Sequence, residues 1–391
     1  MKILIIKTFP QEIKTPHLTY NVQEIGLAVA LRKAGYEADV LCCADEGKRR
    51  ESVVEQEGVC VTVYAWQAYH FLKNGYFREV DMLLNEYDIL QTEEYNQIFS
   101  WHLAKKYPKK TVVYHGPYYC EFNKNYNRMA RIFDTLFLSR YKNLGTTFLT
   151  KSRLAKEYLC GKGLTNVKAI GVGLNITFLD SKEETTQVVD TVKALRNYQG
   201  LKLLYIGVIE ERRNAKFLID VLSLVKAVRQ DAKLVLVGRF GSRDYETEFK
   251  LHLESYSLQD SIVHIERMEQ SQLAAIYRTC DLFLFPTRYD IYGMVLLEAM
   301  YFGMPVISTV NGGSDIMIRD GENGFLINEY EAKAWAAKVM EVVNDSLMKE
   351  RVGKTATETI IHDFTWDALA ERFVMVYKEK LIGETNNSVR R

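Results

Sequence analysis

No run of apolar residues in this 391-residue chain approaches the roughly 20 that a membrane span needs. The opening run Ile3-Leu4-Ile5-Ile6 is stopped at once by Lys7 and is too short for the apolar region of a signal peptide. Cysteine is sparse as well. The six residues (Cys42, Cys43, Cys60, Cys120, Cys160 and Cys280) form no C-x-x-C pair and no metal-ligand spacing. Free thiols in a reducing cytosol are therefore expected rather than a disulfide framework. Net charge is only +1, so the total gives no hint of a nucleic-acid partner. There is no internal repeat, no low-complexity tract and no recognised nucleic-acid-binding module. These absences predict a cytoplasmic protein whose contact with a membrane is at most peripheral.

What is present is a globular composition, 47% hydrophobic and 26% charged, on a chain longer than one ordinary core supports. Short apolar runs alternate with amphipathic stretches. Strand-like runs are Lys2–Ile6, Ala38–Leu41, Val59–Tyr64, Ile89–Gln91, Thr111–Tyr114 and Thr147–Leu149. A second series comprises Lys202–Ile206, Lys233–Val237, Ile262–Ile265, Leu282–Phe285, Val306–Ser308 and Phe325–Ile327. Helix-like segments include Val22–Ala34, Ala215–Val228, Gln272–Arg278, Val295–Tyr301 and Ala332–Val343. Strands this short and this apolar, alternating with helices, predict an α/β protein with two doubly wound parallel sheets. A polar stretch between Asn175 and Gly200, including Ser181–Thr186, places the boundary, with domains at 1–180 and 181–365. The polar segment 383–391 is expected to be a disordered tail.

The segment from Pro286 to Pro305 carries the most chemistry. The strand Leu282–Phe285 ends at Pro286, a polar loop runs to Gly293, and a helix is expected to start near Met294. Glycine lets the backbone approach a ligand, and the first N–H groups of a helix have no partner within it. Such a start favours an anion by about 0.3–1 kcal/mol. Asp290 lies in the loop and Glu298 just over one turn inside the helix, so two carboxylates flank a seat suited to phosphate. A plainer reading makes Asp290 a solvated loop acid and Glu298 a helix-surface residue. Against it, Glu298 sits among Leu296, Leu297, Ala299 and Met300, where an unpartnered carboxylate is costly.

This segment resembles the signature of family 4 retaining glycosyltransferases of the GT-B fold. Their pattern is Glu, seven residues, Glu, with Phe/Tyr-Gly inside and Glu-Ala-Met at its end. The likeness continues through Gly303-Met304-Pro305, Gly312-Gly313-Ser314 and Asp320-Gly321-Glu322-Asn323-Gly324. The resemblance implies two Rossmann-like domains facing across a cleft, the C-terminal one binding a nucleotide-sugar. It also implies a final helix, about 366–382, returning to the first domain. By resemblance Asp290 holds donor-sugar hydroxyls, Glu298 holds the ribose, and the amides of Ile291, Tyr292, Gly293, Met294 and Val295 meet the sugar and distal phosphate. Asp290 stands where the family usually has Glu.

A second likeness runs from Leu204 through Gly207 to Asn214. Relatives place Arg directly after the glycine and Lys six residues after it, to clamp the diphosphate. Here those positions are Val208 and Arg213. A guanidinium can stabilise the developing charge, so Arg213 keeps half of the clamp while Arg212 and Arg239 are candidates for the other half. By itself Arg212-Arg213 also reads as a solvated basic turn. Arg267, in Glu266-Arg267-Met268, falls where relatives read the base.

In the N-terminal half, which by resemblance binds the acceptor, His115 follows the strand Thr111–Tyr114 and corresponds to a histidine near the transferred sugar. The loop Thr8–Thr19 lacks the family's Gly-Gly pair, and Gly171-Val172-Gly173 lacks the third glycine of a dinucleotide fingerprint. Lysine and arginine dominate from Lys105 to Lys168, opposed only by Glu121, Asp134 and Glu157, with aromatics interleaved. That suits an anionic membrane face or a lipid-diphosphate acceptor; a solvated face is the plain alternative.

The implied reaction moves a hexose-type sugar from a UDP- or GDP-sugar to a glycan or lipid-linked acceptor, in polysaccharide or glycolipid synthesis. No carboxylate must be a nucleophile, so front-face displacement assisted by the leaving phosphate is expected. No Asp-x-Asp sits at a strand end, so no metal or cofactor is expected. Val208 and Asp290 leave open a catalytically weak binding subunit. A sugar-nucleotide epimerase or a glycan phosphorylase of related fold is the other alternative.

Overall fold

The computed structural model describes every residue except 15–21, 45–48, 72–73, 178, 180–189 and 389–391. Parts of the Thr8–Thr19 loop, the Ser181–Thr186 stretch and the end of the expected tail thus lie outside the described residues. The chain divides into two compact units, Met1–Asn175 with Phe364–Arg391, and Ile176–Asp363.

The first unit contains β1 (Lys2–Ile6), β2 (Glu37–Cys43), β3 (Arg49–Gln56), β4 (Val59–Trp66), a small hairpin of β5 (Ala68–Phe71) and β6 (Asn74–Phe77), then β7 (Ile89–Glu93), β8 (Thr111–His115), β9 (Thr147–Thr150) and β10 (Val167–Ala169). Its main sheet has the order β10-β9-β8-β7-β1-β2-β4-β3. All pairs are parallel except β3 with β4. Ile3, Leu4, Ile5 and Ile6 are all buried because β1 is central and covered on both faces. Removing such a side chain from water contributes about 1.5–3 kcal/mol, so the run that could not cross a membrane anchors a core instead.

The helix Trp366–Ser388 belongs to this unit. The strand-like pairing of Leu174 with Thr365 brings the chain in, and the Leu174 N–H donates to Phe364 O at 2.7 Å. Trp366 then lies on two glycines: a Cβ at Gly26 or at Gly173 would sit 2.3 Å from its ring. Further along, the Tyr377 hydroxyl donates to Gln91 Oε1 at 2.5 Å. The helix runs as far as Ser388.

The second unit is a six-stranded parallel sheet of β11 (Lys202–Ile206), β12 (Lys233–Val237), β13 (Ile262–Ile265), β14 (Leu282–Phe285), β15 (Val306–Ser308) and β16 (Phe325–Leu326). Its order is β13-β12-β11-β14-β15-β16. Strand order reverses between β11 and β14, whose pairing puts Leu203 opposite Leu282 and Leu204 opposite Phe283. In such sheets ligands bind outside the carboxyl ends of the strands at that reversal. The two segments that leave it are Gly207–Asn214 and Pro286–Gly293, the same two stretches that the sequence singles out.

Candidate active site

Strand β14 is entirely buried, and Pro286 ends it. The following loop is held by a buried polar knot. Thr309 Oγ1 donates to Thr287 O at 2.5 Å, Ser314 Oγ donates to Thr309 O at 2.7 Å, and the Asn311 side-chain amide donates to Thr309 O at 3.0 Å. Asn311 Oδ1 in turn accepts from the Gly313 N–H at 3.1 Å. Gly312 and Gly313 press directly on the loop: their Cβ atoms would lie 2.1 Å from Ile291 O and 1.6 Å from Tyr292 O. Any side chain at either position would push the loop outward. The sequence displayed these adjacent glycines, but not what rests on them.

Gly293 has φ +71, a conformation that glycine adopts freely, and caps the helix Met294–Tyr301. Asp290 stands at the mouth of that helix start, where Oδ1 accepts from the Tyr292 N–H at 3.3 Å. Its Oδ2 is ion-paired with the Arg213 guanidinium. Arg213 sits at the end of the short turn Glu211–Arg213, which Asn214 closes at φ +56. Its guanidinium lies 5.7 Å from the centre of the Phe285 ring. Burial would lower the basicity of Arg213, yet the charge of Asp290 outweighs it and raises the pKa above the ordinary arginine value. Arg213 Nε is buried without a hydrogen-bond partner.

Arg212 is engaged elsewhere. It donates to Tyr289 O at 2.9 Å and to Glu210 Oε1 at 2.5 Å, bracing one loop against the other. Val208, where a cation was expected, is 36% exposed at the end of β11. The strand-end glycines beside it are in close contact. Gly207 has φ +148 and Gly238 φ +144, and a Cβ on Gly238 would lie 2.0 Å from Gly207 O. The Ile209 N–H donates to Arg239 O at 2.9 Å, so Arg239 is held next to the Val208 loop with its side chain exposed. Arg267, just past β13, is exposed too.

Glu298 is only 2% exposed. The Tyr277 hydroxyl donates to its Oε2 at 2.8 Å, a contact that no spacing pattern foreshadowed. Met294 and Val295, in the first turn, are partly exposed.

The structure thus brings Asp290, Arg213, Tyr292, Gly293 and Glu298 together around one helix start in the second unit. His115 is in the first unit. It is fully buried at the end of β8, with Nδ1 2.5 Å from Glu94 Oε2, and the same oxygen accepts from the Gly116 N–H at 3.3 Å. Tyr95 meets the imidazole edge-on and Tyr158 stacks on it. Nε2 is buried with no hydrogen-bond partner. A carboxylate on Nδ1 fixes the tautomer that keeps its proton there. Glu94, which the sequence reading did not single out, holds φ +52 to make this contact.

Residues 190–359 match the family described as "Glycosyl transferases group 1". An uncharacterized glycosyltransferase of Methanocaldococcus jannaschii, MJ1607, is 24% identical over 374 residues, covering 90% of this chain and 92% of that protein. A D-inositol 3-phosphate glycosyltransferase of Paenarthrobacter aurescens is 26% identical over 184 residues, 46% of this chain and 44% of that one. Among solved structures, Anabaena HepE in complex with UDP-glucose superposes with a TM-score of 0.68 at 16% identity, over 97% of this chain and 100% of that one. The family match takes in most of the second unit, including the helix start and both loops around it, and the chain shares the fold of the HepE structure, GT-B.

Proposed function

We propose that the chain transfers a hexose-type sugar from a UDP- or GDP-sugar to a glycan or lipid-linked acceptor, with retention at the anomeric carbon. The observation that carries this reading is the Arg213–Asp290 pair at the mouth of the Met294–Tyr301 helix, with buried Glu298 one turn behind. A cation and a helix start converge there on a place for a diphosphate, and the two carboxylates flank it with acceptors for sugar and ribose hydroxyls. HepE, of the same fold, was crystallised with UDP-glucose. In this reading Arg213 turns to the diphosphate as its charge grows on cleavage, Asp290 is released to the sugar hydroxyls, and the amides of Ile291–Val295 complete the seat. Arg239, not Arg212, supplies the second cation, since Arg212 is bound to Glu210 and Tyr289. No metal is called for, and catalysis is positioning and electrostatics.

Incubation with UDP- and GDP-sugars, with nucleotide release as the readout, tests this. Arg213→Ala and Glu298→Ala should each abolish turnover, and wild-type rates in both would overturn the assignment. The second reading, a catalytically weak binding subunit, draws on exposed Val208. It predicts nucleotide binding without release.

A lipid-linked acceptor also fits the first unit. The helical run Lys124–Phe133, Asp134–Leu138 and Ser139–Lys142 exposes Ile132 and Leu136 between Lys124, Arg128, Arg131 and Arg140. No helix among the described residues is long and apolar enough to cross a membrane. In this reading the protein works in the cytoplasm, in polysaccharide or glycolipid synthesis, and docks peripherally on anionic lipid. Co-sedimentation with phosphatidylglycerol vesicles, lost in Ile132→Ser/Leu136→Ser, is the measurement.

A further inference from the structure

Glu298 carries a carboxylate into an apolar neighbourhood. Leu296, Leu297, Ala299 and Met300, its neighbours on the helix, are 0% exposed and Glu298 itself is 2% exposed. A buried carboxylate stays ionised only where donors compensate for the lost water. The structure supplies one from outside the helix: the hydroxyl of Tyr277, at 2.8 Å from Oε2. The same oxygen lies 3.2 Å from Val295 O, but a phenol has one proton, and the shorter contact to a charged acceptor takes it. The tyrosine has little room to move. It is 2% exposed, its ring stacks on Phe302 with centroids 5.3 Å apart and 20° between planes, and the Arg278 guanidinium lies 5.0 Å from the centre of the Phe302 ring. Tyr277 ends the helix Gln270–Tyr277, which Glu269 and Gln272 cap reciprocally, so the phenol is carried by an element separate from the one it braces.

We infer that Tyr277 is the positioning residue for Glu298: its hydroxyl sets the rotation of the carboxylate, so that it can accept from the two ribose hydroxyls of the donor nucleotide. This rests on the donor reading of Glu298. The phenol does not touch the nucleotide. It restricts one oxygen, and a carboxylate whose plane is already set loses less freedom when a vicinal diol docks. Removing the hydroxyl should weaken ribose recognition specifically, without disturbing the phosphate seat.

The experiment measures binding of UDP and of 2′,3′-dideoxy-UDP by calorimetry at neutral pH, with the GDP pair in their place if GDP is the tighter ligand. Wild type, Glu298→Gln and Tyr277→Phe are compared. The phenylalanine keeps the ring against Phe302, and unchanged affinity for the dideoxy nucleotide shows that the fold and the phosphate seat are intact. In Tyr277→Phe the preference for ribose should fall roughly tenfold at neutral pH, as expected when a charged hydrogen bond is lost. Glu298→Gln should show little preference. If Glu298→Gln discriminates as well as wild type, the donor reading of Glu298 fails. If Glu298→Gln loses discrimination while Tyr277→Phe keeps all of it, or weakens both nucleotides equally, the inference about Tyr277 fails and the donor reading stands.

Discussion

The Arg213–Asp290 pair allows a prediction in which the two partners are unequal. Their side chains are 17% and 13% exposed, so each is largely out of water. Deleting one partner of a buried pair leaves an uncompensated charge, at about 3–5 kcal/mol. The survivors differ in what remains to them. After Arg213→Ala, Asp290 still accepts from the Tyr292 N–H and still faces a helix start, which offsets roughly 0.3–2 kcal/mol of the loss. After Asp290→Ala, Arg213 has the face of Phe285, the weaker attraction of the Glu210 charge and a buried Nε that already lacks a partner. Asp290→Ala should therefore destabilise more than Arg213→Ala, by roughly 0.3–2 kcal/mol on this reasoning. The double variant should destabilise less than the sum, with a coupling of about 1–3 kcal/mol. Urea unfolding of the four proteins, followed by far-ultraviolet dichroism without nucleotide, measures all three quantities. Additive losses would show that the pair is not coupled. A larger loss in Arg213→Ala would show that the helix start does not support Asp290.

Three further outcomes follow from other parts of the chain. Glu93 is buried beside Glu24, and burial with the neighbouring charge pushes its pKa up to about 8, while Glu24 falls below the ordinary value despite its burial because Lys7 offsets it. The folded state then binds a proton that the unfolded chain releases above about pH 4.5, so Glu93 makes the protein less stable as pH rises from about 5 to 8; Glu93→Gln should flatten that slope in urea unfolding, and an unchanged slope would refute the assignment. Gly313→Ala puts a methyl where Tyr292 O stands, so donor binding should be lost in thermal-shift titrations even if the variant folds, and wild-type affinity would show that the loop is free to move. Arg239→Ala should raise the donor KM by roughly tenfold, the size of one charge-assisted contact, whereas Arg212→Ala should act chiefly on stability; the reverse pattern would exchange their roles.

Central parallel strands such as β1, β8 and β14 were legible because each is an apolar run buried on both faces, a pattern that survives without knowledge of partners, whereas the short, half-buried β10 was not read. Nor was Arg49–Gln56. Its sequence, RRESVVEQ, is charged and mostly exposed, and it becomes a strand because an antiparallel neighbour, β4, supplies a ladder at the sheet edge. The helices Arg243–Ser255 and Ser346–Asp363 escaped for a related reason: only three residues of the first and five of the second are buried, too thin a stripe to announce a period. Ser242, which caps the first by accepting from the Tyr245 N–H at 3.2 Å, was a signal left unread. At the site, residue types were legible and their pairings were not. Which of Arg212 and Arg213 points to the helix start depends on a turn that ends in a left-handed Asn214, and nothing in two adjacent arginines encodes that.

Two of the departures from the family pattern, Asp290 and Arg213, acquire a common explanation in the structure. Read separately, Asp290 in place of Glu is an acid one methylene short, and Arg213 in place of Lys is an unremarkable exchange of cations. The two side chains touch, across 77 positions of sequence. A guanidinium reaches farther than its partner requires if that partner is Glu, and Asp falls short if the partner is Lys, so the longer cation fits the shorter acid. Arginine also presents several N–H donors in a fixed plane, so that one can bind Asp290 and leave others for the proposed diphosphate contact. Asp290→Glu alone should crowd the pair and Arg213→Lys alone should stretch it, each lowering kcat/KM by roughly tenfold or more. The combined variant should recover most of the loss. If both single exchanges are silent, the lengths are unrelated; if the combined variant is the worst of the three, Arg213 and Asp290 contribute through separate contacts with the donor.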